Sequence, residues 1–373
     1  MGDMAPNDKY PLAGRRIKLK PAGTLNSPAF TRPYPRVFNK ELIEPVTRAW
    51  IEGFWTTNSF EERDLEVFSI SGAYVVEENM IFDPELQLIE NASNEYTDEQ
   101  VDRALRDILK AEAEGTLPRL SKPTIMAKRG GSNNYGHFMM EALPMAVLAS
   151  QLFESQNARY LVYRADPPML DVMFRAYRLL GINLDQLLVQ GYREPMHFDQ
   201  LIVVRGIAEL GTYMSPLSIV ATEKMAKKVY DYANSKTGRT AEKIFVMRPP
   251  GLSRKRALLN QDELIARLSA RGFLAVDPGV MTLEQQIMTF YGADQVVGVA
   301  GAAMSNIAFC KQGTNVTLLF PAMMADTFFW FIASHKELGY TEIRCKHTIY
   351  EGIEPWGADL TISEVDIRCL ESL

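Results

Sequence analysis

This chain of 373 residues contains few cysteines and no excess of basic residues, and each of these features excludes a class of protein. The three cysteines, Cys310, Cys345 and Cys369, are odd in number and are not spaced as metal ligands. We therefore expect free, mostly buried thiols in a reducing compartment rather than a disulfide scaffold. With 40 basic and 46 acidic residues the net charge is −6, so the chain lacks the basic surface of a nucleic-acid binder.

Long hydrophobic runs are also missing. No apolar segment reaches about 18 residues without a charge, and the N-terminal stretch lacks the basic, apolar and small-residue order of a signal peptide. The nearest candidate, PAMMADTFFWFIAS, is interrupted by Asp326. Its aromatic part, Phe328 to Phe331, could be core, an oligomer surface or a lipid-acceptor groove, and core is the favoured interpretation. We expect a cytoplasmic protein.

The chain is long enough for two domains, because single cores stop growing at roughly 250 to 300 residues. Short β-rich runs from Val67 to Ile89 predict hairpins, and the charged stretch from Thr97 to Glu114 predicts a solvated helix. Further along, strands and helices alternate at βαβ spacing. This alternation predicts a doubly wound α/β sheet with its ligand site at the carboxyl ends of the strands.

A basic stretch, RRIKLK, occupies Arg15 to Lys20 near the start of the chain. It could contact an anionic membrane surface, which would make the protein peripheral to the inner membrane face. Ile17 and Leu19 alternate with the charges, however, as they would in a half-exposed strand, and we favour the strand.

Residues 295–309, QVVGVAGAAMSNIAF, read as a buried strand, a glycine turn and the start of a helix. Gly301 lets the backbone turn and a ligand approach, and Ala302 and Ala303 begin the helix without bulk. The N–H groups and dipole of a helix start favour an anion such as phosphate. The alternative is an ordinary tight turn of an α/β domain.

A polar, glycine-rich loop enters an apolar helix in KRGGSNNYGHFMMEALP. His137 and Glu141 stand four residues apart, so both project from one helix face. Such a pair is a candidate for acid/base catalysis. The alternative is that Glu141 only holds His137 in place.

Two helix starts carry capping signals further along the chain. Asn260 is followed three residues later by Glu263, and Thr282 is followed by Gln285. Each pair predicts a capping box at the first turn of a helix.

Several ordered motifs together resemble glycosyltransferase family 61, and the bacterial capsular-polysaccharide type most of all. The upstream motif runs from Asn134 and Tyr135 through His137 and Glu141 to Pro144. The downstream run covers Arg248 to Pro321, and its matching positions are Arg248, Arg256, Asn260 with Glu263, Gly272-Phe273, Gln285 or Gln286, and Gly298 to Asn306. The resemblance covers roughly residues 120 to 325.

The resemblance implies a GT-B-like fold, in which two Rossmann-type domains face each other across a cleft behind an N-terminal β-rich portion. We expect a β-rich and helical extension over residues 1–120, an acceptor-side domain over 121–212 and a nucleotide-sugar-binding domain over 213–373. The expected reaction is an inverting transfer from a nucleotide-sugar to a saccharide or lipid-linked saccharide. The protein could also form a homo-oligomer.

The same resemblance assigns candidate site residues. His137 and Glu141 would be catalytic, with Glu141 as the base and His137 orienting it or exchanging roles with it. The donor phosphates would be held by Arg248, Arg256, Gly301, Ala302, Ala303 and Asn306, although Asn306 could instead be a helix-surface amide. Further candidates are Asn134, Tyr135, Arg254, Lys255, Asn260 and Glu263. For Arg254 and Lys255 the less favoured alternative is a solvated loop.

No metal or other cofactor is expected beside the nucleotide-sugar. The chain has no Asp-x-Asp, the usual carboxylate pair for a metal-bound sugar diphosphate, so cations and backbone N–H groups would neutralise the leaving group.

Two positions depart from the family pattern. Ala300 stands where a histidine precedes Gly-Ala, and Leu318 stands where the next strand often carries a glutamate. These departures motivate an alternative, a catalytically silent subunit that binds a sugar-nucleotide or glycan in a polysaccharide assembly complex.

Overall fold

The computed structural model describes residues 16–153, 157–209, 211–233, 241–248, 256–351 and 354–371. These described residues divide into two compact units, one within Met1–Asn26 and Asp64–Ile207 and one within Ser27–Arg63 and Ala208–Leu373. Both contain helices and β-sheet, so the predicted α/β class is confirmed. The GT-B-like arrangement and the predicted domain boundaries stay predictions.

The elements are numbered in chain order. The strands are β1 (Arg16–Ile17), β2 (Gly23–Ser27), β3 (Phe30–Thr31), β4 (Arg36–Phe38), β5 (Ser59–Phe60), β6 (Arg63–Val76), β7 (Met80–Phe82), β8 (Leu88–Ile89), β9 (Arg119–Leu120), β10 (Thr124–Met126), β11 (Arg159–Tyr163), β12 (Leu187–Gln190), β13 (Met196–Arg205), β14 (Ala208–Glu209), β15 (Tyr213–Met214), β16 (Lys243–Val246), β17 (Leu274–Val276), β18 (Gln295–Val299), β19 (Asn315–Pro321), β20 (Gly339–Thr348) and β21 (Asp359–Thr361). The α-helices are α1 (Pro45–Thr56), α2 (Asp98–Ala113), α3 (Tyr135–His137), α4 (Leu143–Leu152), α5 (Pro167–Leu179), α6 (Val220–Ala233), α7 (Gln261–Ser269), α8 (Leu283–Gly292), α9 (Phe328–His335) and α10 (Glu364–Glu371). A π-helix occupies Phe138–Ala142, and 3-10 helices occupy Lys40–Leu42, Leu184–Gln186, Pro216–Ile219, Pro278–Val280, Ala302–Phe309 and Pro355–Gly357.

The first unit is built on a ten-stranded sheet in the order β1-β8-β7-β6-β13-β10-β11-β12, with β2 beside β6 and β9 beside β13. Strands β10 to β13 form a parallel part, and the antiparallel meander of β6, β7 and β8 confirms the predicted hairpins. The chain moves from β10 to β11 and β12 on one side and returns to β13 on the other. Ligands bind at such reversals, at the carboxyl ends of the strands.

The helix predicted from Thr97 to Glu114 is present as α2, but it is amphipathic and buries one face, so the prediction that it is solvated is wrong. Its capping box of Thr97 and Gln100 is formed. One face packs on the meander because apolar residues recur at helical spacing between the charges. The buried contacts join Val101, Ala104, Leu105 and Ile108 to Val76, Met80, Phe82 and Leu88.

The second unit is built on a seven-stranded sheet in the order β17-β16-β18-β19-β20-β21, with β4 beside β20. Strands β16 to β20 are parallel, as the alternation predicted, and β21 is antiparallel to the end of β20. Strand order reverses at β16, which has β17 on one side and β18 on the other. The carboxyl ends of β16, β18, β19 and β20 therefore share one edge of the sheet.

Helix α9 belongs to the core of the second unit, so the favoured interpretation of the aromatic stretch is confirmed. Phe329, Trp330 and Phe331 are buried. The guanidinium of Arg32 lies 3.6 Å from the Trp330 ring centroid and donates to the carbonyls of Phe54 and Thr57. Burial lowers the pKa of Arg32 to about 9.

The basic stretch near the start of the chain contains a strand, as favoured over a membrane patch. Arg16 and Ile17 form β1, which pairs in parallel with β8. Arg16 also forms ion pairs with Glu90 and Asp98. Residue 15 lies outside the described residues, and membrane association stays a prediction.

The two predicted capping boxes have different outcomes. Thr282 and Gln285 form theirs at the start of α8. At α7 the predicted capping box is not formed, because the Asn260 side chain accepts from the N–H of Ile362 and donates to its C=O, and it accepts from no backbone N–H of the first turn. A long-range partner has taken the groups that the local cap would use.

Two smaller predictions concern thiols and membrane spans. All three cysteines are free, with Cys310 and Cys345 buried and Cys369 half-buried, as expected. Among the residues that the structure describes, no helix has the length and hydropathy needed to cross a bilayer.

Candidate functional site

The loop after β10 brings the upstream motif to the strand reversal of the first unit. The Ser132 hydroxyl accepts from the N–H of Arg129 at 2.8 Å and donates to its carbonyl at 2.7 Å, which closes the loop on itself. Gly131 adopts a positive φ of 81°, and a Cβ there would lie 3.0 Å from the His137 ring. A glycine at this position therefore lets the loop lie directly against the imidazole.

A helix with a π-helical segment carries the catalytic candidates. The Asn134 side chain caps it by accepting from the N–H of Gly136 at 2.9 Å. The N–H of Leu143 reaches back to the carbonyl of Phe138, and Pro144 has no N–H to offer the carbonyl four residues earlier. π-Helical turns of this kind are frequent at functional sites. Burial raises the pKa of the adjacent Tyr135 phenol.

Three side chains are joined around Glu141. The Nδ1 of His137 lies 2.8 Å from one carboxylate oxygen of Glu141, and Arg129 forms an ion pair with the other. The side chain of Glu141 is only 6% exposed, whereas that of His137 is 36% exposed. The carboxylate is therefore enclosed and the imidazole is accessible. The predicted pair of His137 and Glu141 is brought together, with Arg129 as a third member.

The sequence-based prediction missed two further buried cations of the first unit, and one of them, Arg205, lies close enough to Arg129 and Glu141 to interact with both. Arg205 ends β13 and donates to Asn94 and to the carbonyl of Ser93. Burial lowers its pKa to about 10, with a contribution from the neighbouring Arg129 and an opposing one from Glu141. Lys128 is buried and donates to the carbonyl of Glu77, and burial lowers its pKa to about 7. Arg205 is the last residue of β13 and Lys128 follows β10, so both lie at the strand reversal, and this position was the available signal.

In the second unit, Arg248 and Gly301 meet at the strand reversal. Arg248 follows β16, and Gln261 holds its backbone by accepting from its N–H at 2.8 Å and donating to its carbonyl at 3.3 Å. Gly301 follows β18, and a Cβ there would collide with the Arg248 guanidinium. The missing side chain of Gly301 thus makes room for Arg248.

Arg256 lies close enough to Arg248 for the two charges to interact. Burial, and to a smaller extent Arg256, lowers the pKa of Arg248 to about 10. Burial also lowers the pKa of Arg256, while Asp326 opposes that change. The buried Nε of Arg256 has no hydrogen-bond partner among the described residues. Two desolvated guanidinium groups whose charges interact make a site suited to a dianion such as a diphosphate.

The remaining donor-site candidates have varied surroundings. Ala302 and Ala303 begin the 3-10 helix that follows the glycine turn. Asn306 is fully buried rather than on the helix surface, and its amide nitrogen donates to Gln286 at 2.9 Å and to the carbonyl of Ala303. Its donor atom is therefore already used inside the protein.

Other candidates are placed as follows. Glu263 accepts from Asn260 at 3.3 Å on the surface of α7. Arg254 and Lys255 lie outside the described residues. The two departures from the expected family pattern, Ala300 and Leu318, are both fully buried.

A comparison with known protein families found a match. The family model described as Glycosyltransferase 61 matches residues 135–317. The match begins at the helix that carries His137 and Glu141 and ends within β19, so it includes Arg248, Arg256 and the glycine turn. The comparison with curated proteins gave no match.

The ion pair of Arg129 with Glu141 should stabilise the first unit measurably. We expect Arg129→Met to lower the free energy of unfolding by roughly 1–3 kcal/mol, because an enclosed carboxylate loses a charged hydrogen bond. In the double variant with Glu141→Gln, part of that loss should be recovered, since the charge left unpaired is gone. Denaturant unfolding of the four proteins measures the coupling.

The matched control is Lys227→Met, which removes the exposed ion pair of Lys227 with Asp231. Solvent screens that pair, so its removal should change stability little. Additive effects of Arg129→Met and Glu141→Gln would contradict the proposed coupling.

Proposed function

This chain belongs to glycosyltransferase family 61 and is a glycosyltransferase, and we propose that it transfers a sugar from a nucleotide-sugar to a saccharide or lipid-linked saccharide with inversion. The observation that carries this proposal is the joined trio of Arg129, Glu141 and His137. The two adjacent guanidinium groups of Arg248 and Arg256 add to it. The trio would activate the acceptor, and the two arginines would bind the leaving group.

An inverting transfer is a single displacement that needs a base for the acceptor hydroxyl. As the acceptor oxygen attacks the anomeric carbon, its proton passes to the base. At the same time the bond from that carbon to the diphosphate oxygen breaks, and the diphosphate leaves with the electron pair. Our sequence-based assignment gave the base role to Glu141, with His137 orienting it or exchanging roles with it.

The geometry favours His137 as the base and Glu141 as the residue that orients it. One oxygen of Glu141 is hydrogen-bonded to His137 and the other forms an ion pair with Arg129, so the carboxylate is enclosed and its negative charge is already compensated. An ionised carboxylate only accepts hydrogen bonds, so Nδ1 carries the proton and Nε2 is the basic atom of the ring. We therefore assign proton abstraction to His137, with Glu141 as a positioning residue that stabilises the imidazolium.

The leaving group would be neutralised by arginine rather than by a metal. Arg248 and Arg256 are desolvated, which strengthens their interaction with an anion. Backbone N–H groups near Gly301, Ala302 and Ala303 would add donors to the same phosphates. This arrangement would serve a metal-independent reaction.

The biological setting is part of the same proposal. The motif resemblance supports a role in capsular-type polysaccharide synthesis at the cytoplasmic side of a membrane. A silent binding subunit would have no chemical need for the joined His137 and Glu141, so we favour the enzyme.

A donor screen tests the proposed function. We expect one of the UDP-, GDP-, CMP- or dTDP-sugars to raise the melting temperature, because a ligand that binds only the folded state stabilises it. That donor should then support transfer or slow hydrolysis in the presence of EDTA. Binding without any turnover on a panel of acceptors would favour the silent subunit instead.

For the proposed base, we expect His137→Gln to lower turnover by at least roughly 10²-fold while leaving donor affinity unchanged. Glu141→Gln should lower turnover less, because the imidazole remains but loses its positioning partner. Initial-rate kinetics with calorimetric donor binding separate these effects. His197→Gln, at a half-buried histidine on β13, is the control and should behave as wild type. Near-normal turnover of His137→Gln would remove His137 from the role.

For the leaving-group site, Arg248→Ala should weaken binding of a nucleoside diphosphate at least about 10-fold, because a charged hydrogen bond contributes roughly 1.5–3 kcal/mol. Gly301→Ala should act in the same direction, since its Cβ would displace the Arg248 guanidinium. Gly53→Ala is the matched control, because a Cβ there meets nothing within 4 Å. Unchanged affinity in calorimetry for both site variants would contradict the assignment.

A further inference from the structure

An exposed aromatic side chain lies at the same sheet edge as the two arginines. Among its described residues, the connection from β20 to β21 carries the exposed apolar side chains of Ile349 (49%), Tyr350 (47%) and Trp356 (45%). Strand β20 is parallel to β19, β18 and β16, so this connection begins at the edge where Arg248 and Gly301 lie. Large exposed aromatic surface at a ligand edge commonly marks a contact site.

Backbone hydrogen bonds hold the Trp356 turn against the segment that contains Arg256. The N–H of Arg256 donates to the carbonyl of Gly357 at 2.9 Å, and the N–H of Ala257 donates to the Asp359 carboxylate at 2.7 Å. The N–H of Leu360 in turn donates to the carbonyl of Ala257 at 2.9 Å. The tryptophan is therefore presented from a position tied to the arginine site.

The distance between the two side chains allows one ligand to touch both. The Arg256 guanidinium carbon lies 5.9 Å from the centroid of the Trp356 ring. The Nε of Arg256 is buried without a hydrogen-bond partner among the described residues, so the cation is suited to a phosphate. A flat π surface beside a phosphate site matches a ligand that carries both a diphosphate and a planar ring.

We infer that Trp356 is the stacking surface for the nucleobase of the donor, while Arg248 and Arg256 hold its diphosphate. This inference rests on the proposed function, because it takes the anion at the two arginines to be a nucleotide. Stacking on an aromatic side chain tolerates any base, since each base has a π face. Trp356 would then contribute affinity for the nucleotide, and the choice among bases would come from other contacts.

Trp356 lies outside the part of the chain that matches the family model, which ends at residue 317. The stacking contact would therefore come from the C-terminal segment of this chain rather than from the shared motifs. Because the side chain is exposed, its replacement should leave the fold intact.

Calorimetric titration tests the inference with two kinds of probe. UDP, GDP, CDP and dTDP carry a base, and inorganic pyrophosphate does not. For the nucleoside diphosphate that binds wild type best, Trp356→Ala should lower affinity about 5- to 150-fold, as expected for the loss of one stacked base. Trp356→Phe should retain most of the affinity, and pyrophosphate binding should change less than about twofold in either variant.

Trp50→Ala is the matched control, because Trp50 is a 59% exposed tryptophan on α1 and should not affect either probe. Melting temperatures equal to wild type verify that the variants are folded. Trp356→Phe also reports through fluorescence, since quenching by the nucleotide should be lost if Trp356 stacks on the base.

Several results would overturn the inference. Unchanged nucleoside diphosphate affinity in Trp356→Ala excludes stacking, and an equal loss for pyrophosphate means that Trp356 only positions Arg256. A loss confined to the complete nucleotide-sugar means that the ring contacts the sugar instead of the base. If Arg248→Ala weakens both probes while Trp356→Ala weakens neither, this inference fails and the proposed function stands. If wild type binds no nucleotide at all, both fail.

Discussion

The enclosed carboxylate of Glu141 imposes the arrangement of the catalytic candidates in the first unit. Taking an ionised carboxylate out of water costs several kcal/mol unless both oxygens find partners. One partner, His137, comes from the same helix, and the other, Arg129, must come from the loop after β10. The loop can reach the helix because Ser132 closes it and Gly131 lets it pass over the imidazole ring. The ion pair that compensates the charge of Glu141 thus joins the loop at the sheet edge to the helix.

The second unit brings two buried positive charges near each other. Arg248 and Arg256 are desolvated and close enough for their charges to interact, and their mutual repulsion adds to the effect of burial on the pKa of Arg248. Asp359 opposes this change at Arg248, and Asp326 opposes the corresponding change at Arg256. The first unit therefore holds a group suited to proton transfer, and the second holds a cationic cluster suited to an anion. Both lie at a reversal of strand order, where α/β sheets bind their ligands.

Local patterns predicted the elements well where the sequence signal and the tertiary contacts agree. The alternation of strands and helices, the hairpins around β6 to β8 and the cap at Thr282 are present. The failures have a common cause. The Asn260 side chain bonds the backbone of Ile362 instead of capping its own helix. Helix α2 buries a face of four apolar residues, which its many charged residues obscured in the sequence. In each case a distant segment offered a better contact than solvent or the neighbouring turn.

The sequence by itself determined that His137 and Glu141 share a helix face, because four residues of a helix bring side chains together whatever surrounds them. It also determined the glycine at position 301 and the strands on either side of it. Only the tertiary structure decided that Arg129 completes the pair, that Arg205 stands nearby, and that Trp356 lies beside Arg256, 100 residues earlier. Contacts between distant segments depend on the order and direction of the strands in a sheet, which the pattern of one strand does not specify.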